Sequence, residues 1–313
     1  MNIVIYGTGG VGGYFGARLV QARNDVTFIA RGEHLSVIKK KGLQLKSYKG
    51  DFLVYPAKVT SAISEVKNID LILICVKTWQ LNEVVNEIKN VLTKNTMIIS
   101  LLNGIDNVDV ISKKIDKKHI LGGLCKIVSK LEGYGIINHI SYEPTIVFGE
   151  LNNIKSKRAL QLEQTFKRAG ITTKLTMDIQ KEIWTKFLFI STISAIGALT
   201  RASIGEMICL PEIKDLMYKT AEEIVTIAKT KKINLPDDII KKQFELIENQ
   251  PYNTTSSLQR DIMEGKPSEL EAQNGKIVKM GNELGISTPV NNFIYYCLLP
   301  QENKARVLNK IGC

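Results

Sequence analysis

Residues 1–31 constrain the fold more than any other stretch of the chain. Asn2-Ile3-Val4-Ile5-Tyr6 is a short apolar run suited to a buried parallel strand. It leads directly into Gly7-Thr8-Gly9-Gly10-Val11-Gly12, which satisfies G-x-G-x-x-G. Residues 14–20 can continue as a helix, and residues 25–30 read as the next strand. Strand, glycine turn, helix and strand within about thirty residues is how a dinucleotide-binding fold begins. In that reading Gly7 permits the tight turn, Gly9 lets backbone approach a pyrophosphate, and Gly12 lets the helix pack on the sheet. The anion would rest on the helix N-terminus, so Gly7, Thr8, Gly9, Gly10, Val11 and Gly12 form the expected cofactor loop. The competing reading is a turn that is merely rich in glycine.

The residue closing the second strand selects the dinucleotide. Proteins that bind NAD usually place Asp or Glu there, about twenty residues after the glycines, to hold the ribose 2′-hydroxyl. This chain has Arg31, whose guanidinium suits a 2′-phosphate that a carboxylate would repel. NADP(H) is therefore the expected cofactor. Glu33 lies close by and could serve a ribose hydroxyl if the loop were shifted.

Two more continuous apolar runs, residues 70–76 and 96–102, read as buried parallel strands. They end in Lys77-Thr78-Trp79-Gln80 and in Asn103-Gly104. Ligands of open α/β sheets lie beyond the carboxyl ends of the strands, so Lys77 and Asn103 are expected at the crevice that Gly7 also borders. A solvated lysine and a turn asparagine are the plain alternatives. Before these strands, residues 43–48 and 52–55 read as a hairpin turning at Lys49-Gly50-Asp51. Residues 119–125, 126–130, 136–141 and 145–151 read as further strands, and 156–169 as a helix closed by Gly170.

From Asp178 onward the pattern is helical. The expected architecture is α/β: a Rossmann-type dinucleotide-binding domain over residues 1–177, then an all-helical domain over residues 178–313 that carries substrate and catalysis. The formal charge of +11 lies wholly in the first part, because residues 178–313 hold equal numbers of acidic and basic side chains. Attraction of a polyanionic cofactor and an acidic substrate explains that asymmetry, and so does a lysine-rich background composition. No basic motif interleaved with aromatics supports nucleic-acid binding. The five cysteines, Cys75, Cys125, Cys209, Cys297 and Cys313, form no C-x-x-C pair, and neither a disulfide framework nor a metal site is expected. No basic segment followed by an apolar run opens the sequence, and the apolar stretch 187–199 is short for a bilayer span. A cytoplasmic protein without membrane attachment is expected.

The three histidines, His34, His119 and His139, all precede the helical part. A proton donor there must be another residue type. Lys186 is the last charge before an apolar stretch running to Leu199, where burial would lower an ammonium's pKa and make it a usable acid. A lysine reaching back to water from the edge of a buried helix is the equal alternative. Further on, Pro267-Ser268-Glu269-Leu270-Glu271 opens a helix in which Ser268 and Glu271 have capping-box spacing. Glu269 falls outside that box, and either complements the helix dipole or serves a substrate or the lysine.

Taken together these residues resemble the ketopantoate reductase family (2-dehydropantoate 2-reductase) over essentially the whole chain. The matching pieces are the glycine loop, Val76-Lys77-Thr78-Trp79-Gln80, Leu102-Asn103-Gly104, Glu182-Ile183-Trp184-Thr185-Lys186-Phe187, Ser256-Ser257-Leu258-Gln259-Arg260-Asp261, and Pro267-Ser268-Glu269 with Asn274-Gly275. The resemblance implies NADPH-dependent reduction of a 2-keto acid in the pathway to pantothenate and coenzyme A. It makes Lys186 the catalytic lysine, Glu269 a catalytic and cofactor-side glutamate, and Ser257 the serine that holds the substrate carboxylate. Lys77 and Asn103 fall at the cofactor and active-site cleft, with Asn103 also reaching substrate, and Arg31 at the 2′-phosphate. Similar members carry asparagines one and two turns past the lysine, where this chain has Ile190 and Ser194, and a third where it has Ile204. Ser194 is thereby a substrate-side candidate, and another 2-keto acid stands as the alternative substrate. A nucleotide sensor that kept the fold without the chemistry is the alternative class, and a homodimer is open to the chain.

Overall fold

The computed structural model describes residues 1–311, and Cys313 lies outside them. The chain divides into two compact units, Met1–Leu102 with Asp106–Ile179, and Asn103–Ile105 with the chain from Gln180 onward. The division falls after Ile179, just beyond the expected boundary at Met177, and it assigns the turn Asn103–Ile105 to the second unit.

The first unit alternates strands and helices: β1 (Asn2–Tyr6), α1 (Gly10–Gln21), β2 (Asp25–Ile29), α2 (Gly32–Lys41), β3 (Leu43–Ser47), β4 (Phe52–Val54) and β5 (Lys58–Thr60). It continues with β6 (Leu71–Ile74), α3 (Leu81–Ile88), β7 (Met97–Ser100), α4 (Asn107–Ser112), β8 (Ile120–Gly133), β9 (Ile136–Glu150), α5 (Lys157–Arg168) and β10 (Thr172–Leu175). The strands form a single sheet in the order β4-β3-β9-β8-β7-β6-β1-β2-β5, with β10 also paired to β9. Strands β5, β2, β1, β6, β7 and β8, adjacent in that order, run parallel to one another. Successive side chains on these strands face opposite sides, which is why a strand covered on both faces reads as an unbroken apolar run. Ile3 and Ile5 pack on one side with Tyr14, Phe15 and Phe28. Val4 and Tyr6 pack on the other with Ile72, Ile74, Val84, Val85 and Ile88. Each such side chain contributes roughly 1.5–3 kcal/mol on burial, so a slip of β1 by one residue would sacrifice both faces.

The four short strands expected over residues 119–151 are two long ones. β8 and β9 pair antiparallel as one hairpin, with register irregularities between Lys126 and Val128, Val128 and Ser129, and Leu131 and Gly133. Polar residues do not end a strand whose ladder partner continues. The bulges absorb the change in burial from the inner half of β8, buried through Cys125, to its more exposed outer half.

The second unit is helical: α6 (Ile179–Thr200), α7 (Ile204–Ile208), α8 (Pro211–Thr230), α9 (Ile239–Glu248), α10 (Ser257–Met263), α11 (Lys276–Leu284) and α12 (Pro289–Ile311). The expectation that the apolar stretch 187–199 is too short for a bilayer needs correcting. It belongs to α6, whose 22 residues are long and apolar enough by length and composition. Its most apolar window is 67% buried within the protein, and a core helix is apolar all round for that reason. The helix stops where Arg201 turns left-handed (φ 61°), and Ser203 and Glu206 then cap α7 reciprocally.

The expected capping box of Ser268 and Glu271 is also corrected. The Ser268 hydroxyl accepts from the Leu270 N–H and donates to Glu302, while Glu271 accepts from the Tyr295 hydroxyl at 2.6 Å. Tertiary partners on α12 have taken the groups that a local box would use. The chain runs through a π-helical turn, Glu271–Gly275, before α11.

Candidate active site

In the first unit β1 and β2 pair with Tyr6 opposite Ile29, so the glycine loop and Arg31 emerge side by side from the carboxyl ends of adjacent strands. Gly7 takes φ 100°, and a Cβ on Gly12 would lie 2.1 Å from the Gly7 carbonyl oxygen. Both positions therefore require glycine. Gly9 differs, because a Cβ there would meet nothing within 4 Å. Its backbone faces open space at the start of α1, whose first turn has no side-chain cap and no acidic residue. Uncapped N–H groups beside an unobstructed glycine fit a pyrophosphate.

Thr8 is fixed at both of its polar groups. Its hydroxyl donates to the Ile29 carbonyl at 2.9 Å, and its carbonyl lies 2.7 Å from Nε2 of His34. Nδ1 of His34 accepts from the Gly135 N–H at 3.0 Å, so the ring is the Nε2–H tautomer and donates to Thr8. Burial lowers the His34 pKa against the opposing effect of the Thr8 bond. His34 thus ties the glycine loop to α2 and to the β8–β9 hairpin. Nothing in the spacing of the three histidines along the chain marks His34 for this role.

Arg31 stands immediately before α2 with its side chain half exposed. One terminal nitrogen pairs with Glu83 at 2.9 Å and with Glu87 at 3.2 Å, both on α3. Glu87 in turn accepts a hydrogen bond from the Tyr6 hydroxyl. Two carboxylates thus already hold the cation read as the 2′-phosphate ligand. Lys77 follows β6, its N–H donating to Gln80 Oε1 at 3.2 Å and its ammonium lying 5.8 Å from the centre of the Trp79 ring.

The second unit brings together three residues far apart in sequence. Lys186 Nζ donates to Asn103 Oδ1 at 2.9 Å, and Asn103 Nδ2 donates to Glu269 Oε2 at 2.8 Å. An amide between an ammonium and a carboxylate has its orientation set by its partners, oxygen to the cation and nitrogen to the anion. Glu269 is 5% exposed, and a carboxylate so buried needs such partners. Its backbone is anchored from α12. Glu302, itself buried, accepts from the Ser268 N–H at 3.0 Å and the Ser268 hydroxyl at 2.5 Å, and Arg306 donates to the Ser268 carbonyl at 3.1 Å. The π-helical turn that follows is held by Asn274, which donates to Asn291 at 3.0 Å, and Asn291 donates to Glu223 at 2.6 Å. These anchors could not be read from local sequence, because they join residues on separate helices.

Ser257 is exposed as the first residue of α10, and the cap is its neighbour Ser256, which accepts from the Gln259 N–H at 3.1 Å. Ser194 lies two turns past Lys186 on α6 with 2% of its surface exposed, and Ile204 has 1%. Chemically, the second unit offers a positioned ammonium with a carboxylate one amide away, and the first unit offers a cradle for a dinucleotide.

Residues 3–153 match the family profile described as ketopantoate reductase PanE/ApbA, and residues 178–302 match that of its C-terminal part. The uncharacterized oxidoreductase YkpB of Bacillus subtilis (strain 168) is 29% identical over 295 residues, covering 94% of this chain and 97% of the relative. The 2-dehydropantoate 2-reductase of Nostoc sp. (strain PCC 7120) is 29% identical, with 94% and 93% covered. Among solved structures, a PanE/ApbA family ketopantoate reductase from Ralstonia eutropha JMP134 superposes with a TM-score of 0.90 at 27% identity, covering 98% of this chain and 100% of that one.

Proposed function

This chain belongs to the ketopantoate reductase family of oxidoreductases, and we propose that it reduces ketopantoate (2-dehydropantoate) to pantoate with NADPH, in the cytoplasm, on the route to pantothenate. The observation that carries the proposal is the chain of hydrogen bonds from Lys186 through Asn103 to Glu269. Bound NADPH would supply a hydride to the keto carbon. The glycine loop would hold its pyrophosphate and Arg31 its 2′-phosphate, with Lys77 at the neighbouring strand end. The protein's own residues would manage the charge that develops on the keto oxygen. Lys186 stabilises that oxygen and gives it a proton, which completes the alcohol. Asn103 aims the ammonium. Glu269, the buried end of the relay, keeps the ammonium and amide in register and contacts substrate or cofactor. Ser257 holds the substrate carboxylate at the start of α10.

Ile190, Ser194 and Ile204 favour a second reading within the same chemistry. They replace amide side chains of similar members with short or apolar ones, and Ser194 has little surface to offer a ligand. A more apolar 2-keto acid is the alternative substrate. The test is NADPH oxidation by the purified protein with a panel of 2-keto acids of increasing bulk. Ketopantoate should give the highest kcat/KM. A higher value for another 2-keto acid moves the assignment to that substrate, and no turnover with any of them leaves a nucleotide sensor.

A further inference from the structure

Beyond the reading of Arg31 as the 2′-phosphate ligand, on which this inference rests, the structure assigns a role to the two carboxylates that hold it. We infer that Glu83 and Glu87 are specificity-determining residues: their charges oppose a 2′-phosphate at Arg31 and so restrain the protein's preference for NADPH over NADH.

Glu83 and Glu87 lie four residues apart on α3 and therefore on one face of the helix. Both reach the same nitrogen of Arg31, at 2.9 Å and 3.2 Å. Glu87 is further held by the Tyr6 hydroxyl at the carboxyl end of β1, next to the glycine loop. The arrangement therefore joins the end of β1, the residue that precedes α2, and α3. A 2′-phosphate brings close to two negative charges to this place. Both carboxylates take one terminal nitrogen of the guanidinium, so a phosphate on its other nitrogens would sit beside two like charges that already neutralise the cation. NADH brings a neutral hydroxyl, which can donate to a carboxylate and leaves Arg31 paired. The same groups thus weaken one nucleotide and are neutral or favourable toward the other.

The side chains of Glu83 and Glu87 are 56% and 33% exposed, so solvent moderates the effect without removing it. Glu83 is the cleaner probe, because Glu87 also satisfies Tyr6. Glu83→Gln should tighten NADPH about two- to fivefold, the range that screened surface charges give, while NADH stays unchanged or weakens. Glu87→Gln should act in the same direction. The measurement is calorimetric titration of wild type, Glu83→Gln, Glu87→Gln and Arg31→Ala with NADPH and with NADH, together with melting temperatures to confirm folding. If NADPH is unchanged or weakened in Glu83→Gln while Arg31→Ala loses NADPH selectively, the carboxylates merely buttress Arg31 and this inference is wrong, though the 2′-phosphate assignment stands. If Arg31→Ala affects both nucleotides equally, the 2′-phosphate assignment is wrong, and the inference falls with it.

Discussion

Asn103→Ala would remove the centre of the relay while leaving both ends in place. Asn103 accepts from Lys186 at 2.9 Å and donates to Glu269 at 2.8 Å, so both bonds involve a charged partner. Such bonds contribute about 1.5–3 kcal/mol each, and the lower part of that range suits groups that are only partly buried. At about 1.4 kcal/mol per factor of ten, losing the hold on the ammonium should lower kcat roughly tenfold to thirtyfold. Glu269 would lose a donor while staying at 5% exposure, which should cost stability of about 1–3 kcal/mol and lower the melting temperature by several degrees. The assay is steady-state kinetics with NADPH and ketopantoate, calorimetric titration of NADPH, and a thermal melt. The relay predicts a fall in kcat with little change in NADPH affinity. A kcat within twofold of wild type, with affinity for NADPH reduced instead, would refute it and leave Asn103 as a cofactor ligand alone. Asn103→Asp is the companion variant. It turns the donor facing Glu269 into a second carboxylate, and should lower kcat further at neutral pH.

Gly9→Ala should leave the melting temperature nearly unchanged, since its Cβ meets open space, and weaken NADPH and NADH alike in a binding titration; Gly12→Ala, whose Cβ would sit 2.1 Å from Gly7 O, should destabilise the fold itself. His34, ordinarily at 6.5, has its pKa lowered by burial, so the native protein binds fewer protons than the unfolded chain below that value. Its contribution to stability is full above about pH 6.5 and is lost as the pH falls toward the native pKa. Melting curves between neutral and mildly acid pH should therefore show a smaller acid loss in His34→Gln, and equal slopes would remove His34 from the effect.

The dinucleotide half was legible because its signals are local. A strand, G-x-G-x-x-G and a helix follow one another, and Tyr6 beside Ile29 puts the next strand's Arg31 where the spacing predicts. The candidate site was legible only as separate residues. Asn103 lies 83 residues before Lys186 and 166 before Glu269, so no spacing could show that its amide joins them. Asn103 also belongs with the helical unit and not, as its strand-end position suggested, with the sheet. Ser268 and Glu271 had the spacing of a local cap, but Glu302 and Tyr295 on a distant helix took both groups. Glu83 and Glu87 carried a visible clue, acidic residues four apart on a helix. Their partner Arg31 lies 56 residues before Glu87, so no local spacing joins them.

The most direct test of the central claim is kcat for Lys186→Ala with NADPH and ketopantoate, measured beside NADPH affinity and melting temperature. If Lys186 protonates the product oxygen, kcat should fall roughly 10²–10⁴-fold, the span for a positioned general acid, while affinity and melting temperature change little. Turnover close to wild type in that variant would contradict the mechanism, and would leave Lys186 as a lysine that only anchors Asn103.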